Sequence, residues 1–203
     1  MADYGFDIEQ GSFSFFRAPI SSNSPLRAVW IPEIYRYVVG HYAKKRTEVL
    51  RATSDKEEAR QYKANNFDFC TFSGLFCTRT EEGLIQRSSL MCLEFDNIDD
   101  VPALKHKLLE NEFLETELMF TSLSGKGVKW VVSVANESFE FSRVFKAVMI
   151  ALKRSGLPSP NQDGSDVARA CFLGYDPNAF INEKYSFYAY ENVFSPRNGE
   201  VPF

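Results

Sequence analysis

The chain has 203 residues, 44% of them hydrophobic, enough apolar side chain for a substantial core in one compact domain. A formal net charge of -4 excludes coating nucleic acid by bulk positive charge, while leaving room for a local basic groove. No apolar run is long enough to cross a bilayer, MADYGFDIEQ lacks the features of a leader, and the four cysteines form no CxxC pair, three of them in apolar, strand-like surroundings that suit buried reduced thiols, so a cytoplasmic protein with no membrane partner is expected.

SFSFFRAPI (12–20) reads as a strand or extended arm. PEIYRYVVGHYAKKRTEVLRA follows as one helix, with Pro32 in its first turn and Ile34, Tyr35, Val38, Val39 and Tyr42 on one apolar face. SDKEEARQYKA reads as a second helix, capped by Ser54 with Glu57 three residues on. FDFCTFSG (67–74) alternates as a strand, and LIQR (84–87) is a candidate hairpin partner. His41 and His106 read as ordinary helix residues. Neither has a close Cys or His partner, which argues against a structural zinc site.

From residue 90 the pattern sharpens. LMCLEF is a strand, VPALKHKLLENEF a helix and TELMFTSL a strand. A tight SGKG loop leads into the strand VKWVVSVA, the long helix SFEFSRVFKAVMIALKRSG and the strand ARACFLGY. The fold class is α+β: residues 67–203 form an RRM-like β-α-β-β-α-β core, an antiparallel sheet with helices on one face. Residues 1–66 form an N-terminal strand and helical extension of what is one compact domain overall.

The chemistry concentrates on the sheet face away from the helices. In LMCLEFDNIDD, Glu94 and Asp96 project together while Met91, Leu93 and Phe95 point the other way. Two like charges on one face need a cation or a shared proton between them, and a divalent metal with oxygen ligands suits them. The plainer reading is a strand entering an acidic turn, with Asn97, Asp99 and Asp100 capping the next helix. In TSLSGKGVKW, Ser124, Gly125, Lys126 and Gly127 make a loop whose N–H groups can face an anion, and Lys129 leaves it toward the open face. In GSDVARACF, Asp166 stands at the mouth of a strand with Arg169 three residues on. Asp166 completes a three-carboxylate set, and Arg169 with Lys129 takes phosphate oxygens. Asp163 and Asp176 are competing choices for the third acid.

These stretches, Glu94-Phe95-Asp96, SLSGKGVKW and DVARACF with YDPNAFIN, together with the upstream FCTFSGLF and YKANNFDF, resemble the VirE N-terminal domain family over about residues 60–185. That family is grouped with the archaeo-eukaryotic primase-polymerases. The resemblance implies a nucleotidyltransferase that joins nucleotides with two Mg2+ or Mn2+ ions held by Glu94, Asp96 and Asp166. It also implies nucleoside triphosphate and template partners, the template being single-stranded DNA, a helicase partner or fusion, and a role in replication of DNA or mobile elements. Glu94 stands where the superfamily has Asp, and Lys129 where it has a phosphate-contacting histidine. The competing readings are a non-catalytic nucleic-acid-binding module and a metal-dependent nuclease.

Overall fold

The computed structural model describes residues 11–134 and 139–186; MADYGFDIEQ, and the residues joining VKWVVSVA to the helix after it, lie outside them. In chain order the elements are β1 (Phe13–Phe16), β2 (Arg27–Val29), α1 (Ile31–Val39), α2 (Lys44–Ala52), α3 (Lys56–Asn66), β3 (Phe69–Thr71), β4 (Gly74–Phe76) and β5 (Leu84–Arg87). Then come β6 (Leu90–Asp96), α4 (Val101–Leu109), β7 (Thr116–Thr121), β8 (Gly127–Ser133), α5 (Phe141–Arg154), β9 (Cys171–Phe172) and β10 (Phe180–Ile181). The chain is α+β. One antiparallel sheet runs β2-β1-β3-β9, a second runs β10-β7-β8-β6, and β4-β5 is a separate ribbon.

The alternation read at residues 90–96 sets the packing. Met91, Leu93 and Phe95 join Val128, Trp130 and Val132 of β8 beneath Leu104 and Leu108 of α4 and Phe145, Val148 and Leu152 of α5. Side chains of this size each contribute about 1.5–3 kcal/mol on full burial, so this face fixes the strand register. Trp130 is fully buried and its indole N–H donates to Thr116 Oγ1 at 2.8 Å, which satisfies the polar edge of a large apolar ring.

The other face is not open, contrary to expectation. Leu118, Phe120 and Val131 pack against Phe13, Phe15, Cys70, Phe72 and Cys171 of the first sheet and against α1, forming a second core between the two sheets. FSFF is buried at all four positions, so β1 is an interior strand rather than an arm. It pairs with β3, which places the expected 1–66 extension and the region after it in one sheet.

ARACFLGY also departs from expectation. Its strand residues pair Cys171 with Cys70 and Phe172 with Phe69, in the first sheet, and β10 joins β7 in the second. The outer edge of β6 is occupied: the Asn161 N–H donates to the Glu94 carbonyl at 2.7 Å. Pro158 and Pro160 in that approaching loop have no N–H to extend a ladder.

Two helix readings shift for local reasons. The long helix read from Pro32 breaks at Gly40, whose extended backbone stops α1; a Cβ there would stand 2.7 Å from the Arg36 carbonyl oxygen. The cap of α3 is Asp55 rather than Ser54, its carboxylate accepting from the Glu58 N–H at 2.8 Å. Asp100 caps α4 in the same way through the Ala103 N–H. LIQR pairs, as β5, with β4.

Candidate functional site

Register brings the predicted residues together along one seam. On β6 and β8 the cross-strand pairs are Cys92 with Val131, Glu94 with Lys129 and Asp96 with Gly127. The column therefore runs from an apolar end beneath the first sheet to a polar end that opens outward. At the midpoint Glu94 Oε2 accepts from Lys129 Nζ at 2.6 Å and lies 3.8 Å from Arg169 NH2. Glu94 is 5% exposed and Lys129 8%, so this pair is an interior ion pair rather than two side chains on an open face. Burial pulls the Lys129 ammonium toward its neutral form, but Cys171, Glu94 and Cys92 beside it more than offset that, and its pKa is raised.

Beyond this pair lies a cleft of about 560 Å³. Its floor carries Glu94, Asp96 and Lys129; the loop after β7 supplies Ser122, Ser124 and Lys126; Arg169 and Phe172 close one side. A helical wall adds Arg51 from α2 and Lys56, Arg60 and Lys63 from α3. Seven basic side chains thus face two carboxylates. Lys63 shows the resulting strain in charge: burial and then the nearby Lys129 ammonium lower its pKa, against the pull of Glu94 and Asp96. Its ammonium sits 4.7 Å over the Phe172 ring.

The SGKG loop is built as a tight turn. Gly125 has φ 77°, a conformation glycine adopts without strain, and its N–H donates to the Ser122 carbonyl at 2.9 Å. The Lys126 N–H donates to Ser124 Oγ at 3.3 Å. Those two N–H groups serve the turn itself, so anion binding here falls to side chains. At Gly127 an added Cβ would collide with the Phe95 carbonyl oxygen. Arg51 Nε donates to the Leu123 carbonyl at 3.0 Å and ties the loop to α2.

The acids divide. Asp96 is exposed in the cleft, with Oδ2 accepting from Asn161 Nδ2 at 2.7 Å. Asp166 does not line the cleft; it accepts from the Ala168 N–H at 2.8 Å and borders a small, partly open pocket shared with Glu94 and Arg169. Asp163 pairs with Arg169 at 3.1 Å. Asp176 is structural: it takes Lys105 Nζ and the Thr121 N–H, each at 2.6 Å, and although burial opposes ionisation those bonds hold its pKa low. Among the described residues, the three metal-ligating side chains whose ligand atoms lie within 4.8 Å of one another are Cys92, Glu94 and Cys171, not Glu94, Asp96 and Asp166.

Sequence reasoning missed the basic wall and the thiol pair. Lys56, Arg60 and Lys63 follow i, i+4, i+7 spacing, a one-sided stripe that could have been read as a face. The thiols, distant in sequence, gave no such signal.

The fold and site define an α+β domain with a basic cleft at the polar end of a buried sheet seam. The chain belongs to the family described as BT4734-like, N-terminal domain, whose model matches residues 62–180. No curated protein and no solved structure matches it.

Proposed function

We propose that the cleft binds the phosphates of a nucleoside triphosphate and of a single-stranded template, as the nucleotide-handling domain of a primase-polymerase-type nucleotidyltransferase. The observation that carries this is the excess of cations around Asp96, because a groove so charged is stable when a polyanion enters it. The run β6-α4-β7-β8-α5, with β8 between β6 and β7 and both helices on one face, supports an RRM-like core. So does the resemblance to the VirE N-terminal domain family.

The donor set fits one hard cation better than two. Asp96 is open to an ion carried in on the triphosphate, whereas Glu94 already holds Lys129 and Arg169, and Asp166 stands outside the cleft. A magnesium or manganese ion there would neutralise phosphate charge. The chain's own residues would do the rest. Lys126 and Arg169 would hold phosphate oxygens, Phe172 would offer a ring face, and the α3 wall would track the backbone.

The Glu94–Lys129 pair favours a second reading, a domain of this kind that binds nucleic acid without turnover, since it engages one carboxylate oxygen of Glu94 and leaves Asp96 as the strand acid free to meet a cation carried into the cleft. Extension of a labelled primer with nucleotides and Mg2+ separates the two. Extension that Asp96→Asn abolishes supports the enzyme. Binding of template and triphosphate without extension supports the non-catalytic module, and shortening of the labelled strand would point to a nuclease. Failure to bind either ligand would overturn the reading.

A further inference from the structure

Cys92 of β6 and Cys171 of β9 meet across the seam between the two sheets, with their sulfurs 3.8 Å apart. A disulfide needs about 2.05 Å. Two thiolates on one tetrahedral zinc, each at about 2.3 Å, stand about 3.8 Å from each other. The observed separation, at which the Cys92 thiol donates to Cys171 Sγ, also matches that of a chelating pair. A Glu94 carboxylate oxygen lies within 4.8 Å of both sulfurs. Glu94 is 5% exposed; Oε2 faces Lys129 and Arg169, while Oε1 is buried and has no hydrogen-bond partner. A buried acceptor left in this way has room in its bonding for a water or an ion. Space lies beside the cluster: Cys92, Glu94, Asp166, Arg169 and Cys171 border a small, partly open pocket of about 20 Å³. That is just above the ~10–15 Å³ needed for one water, so it suits a single ion.

We infer that Cys92, Cys171 and Glu94 form a binding site for one thiophilic divalent cation, zinc by its chemistry, with the fourth position open to water or Asp166. Two thiol protons pass to solvent as the ion binds, leaving two thiolates and one carboxylate around a 2+ charge. Lys129 and Arg169 offset the remaining negative charge. Sulfur ligands select against magnesium, so this site is chemically separate from the cleft. It does not depend on the nucleotide reading: Asp96 is no part of it, and no nucleotide is needed to fill it.

The test is titration of the metal-free, reduced protein with Co2+, followed by the thiolate-to-cobalt charge-transfer band. The expected result is a band that saturates at one equivalent, is bleached by Zn2+, survives Cys77→Ser, and is lost in Cys92→Ser. Should the buried Cys171→Ser fail to fold, alkylation of wild type replaces it: Zn2+ should protect Cys92 and Cys171 but not the exposed Cys77. No charge-transfer band, a band that persists in Cys92→Ser, or alkylation indifferent to Zn2+ would overturn the site and leave an ordinary thiol–thiol contact.

Discussion

Replacing Lys129 with methionine keeps the stem and removes the charge. In wild type the ammonium is 2.6 Å from Glu94 Oε2, a gross attraction of about 6 kcal/mol at an effective dielectric of 20. Much of that is offset by the desolvation of both groups. What remains in the variant is a carboxylate, 6% exposed, facing only Arg169 at 3.8 Å on a side chain that is 41% exposed. Stripping one partner from a buried pair costs about 3–5 kcal/mol, and the exposed Arg169 recovers little of it. For a chain of this size each kcal/mol moves Tm by about 2–4 °C, so a fall of about 6–20 °C is expected. Urea denaturation should show a lower midpoint with an unchanged slope. Adding Glu94→Gln to Lys129→Met should restore much of the loss. A single variant within about 1 kcal/mol of wild type would refute the account, because Glu94 would then not need its partner.

Asp176→Asn should cost about 2–3 kcal/mol at neutral pH, since Lys105 loses its buried counter-charge. Because the folded-state pKa of Asp176 is depressed, its contribution is present above the ordinary carboxylate pKa and is lost as pH falls through the lower folded value; the variant and wild type should converge in acid, measured by thermal melts across pH. Converting Lys56, Arg60 and Lys63 to glutamine should lower the slope of log K against log salt for single-stranded DNA by about 2, at about 0.7 per phosphate contact, with the fold unchanged by circular dichroism. An unaltered slope would mean that α3 does not track the strand. Gly127→Ala should destabilise by about 2 kcal/mol or more through the Phe95 carbonyl, a loss read from the urea midpoint.

What the sequence disclosed was what period and spacing encode. Alternation in LMCLEF placed Met91, Leu93 and Phe95 under the helices, and the same alternation put Glu94 and Asp96 on the opposite side. Register was not legible. That Glu94 lies opposite Lys129 follows from the β6–β8 pairing, which has no local signature, even though the SGKG turn between β7 and β8 does. Nor does a two-residue strand announce its partner: Cys171 and Phe172 join β3, while Asn161 bonds to the edge of β6. The open face was lost for the same reason. FSFF reads equally well as an exposed arm or an interior strand, and only its pairing with β2 and β3 decides. Asp166 was chosen by order along the chain, which does not fix where a loop residue ends up.

The pairing of Phe69 with Phe172 carries a consequence for how the protein comes into being. The cleft draws on α3, the end of β6, the loop after β7, and Arg169 and Phe172, so no early segment holds a working piece of it. During synthesis β6, β7 and β8 can pack on α4 and α5 while the first sheet still lacks β9 and the second still lacks β10. Until residues 169–172 leave the ribosome, Glu94 has no Arg169 and Lys63 has no Phe172 ring. The basic cleft is therefore incomplete in a nascent chain until those residues emerge. Contacts this distant along the chain form late, so the Phe69–Phe172 pairing and the finished cleft should appear with the last phase of refolding rather than with the first formation of secondary structure.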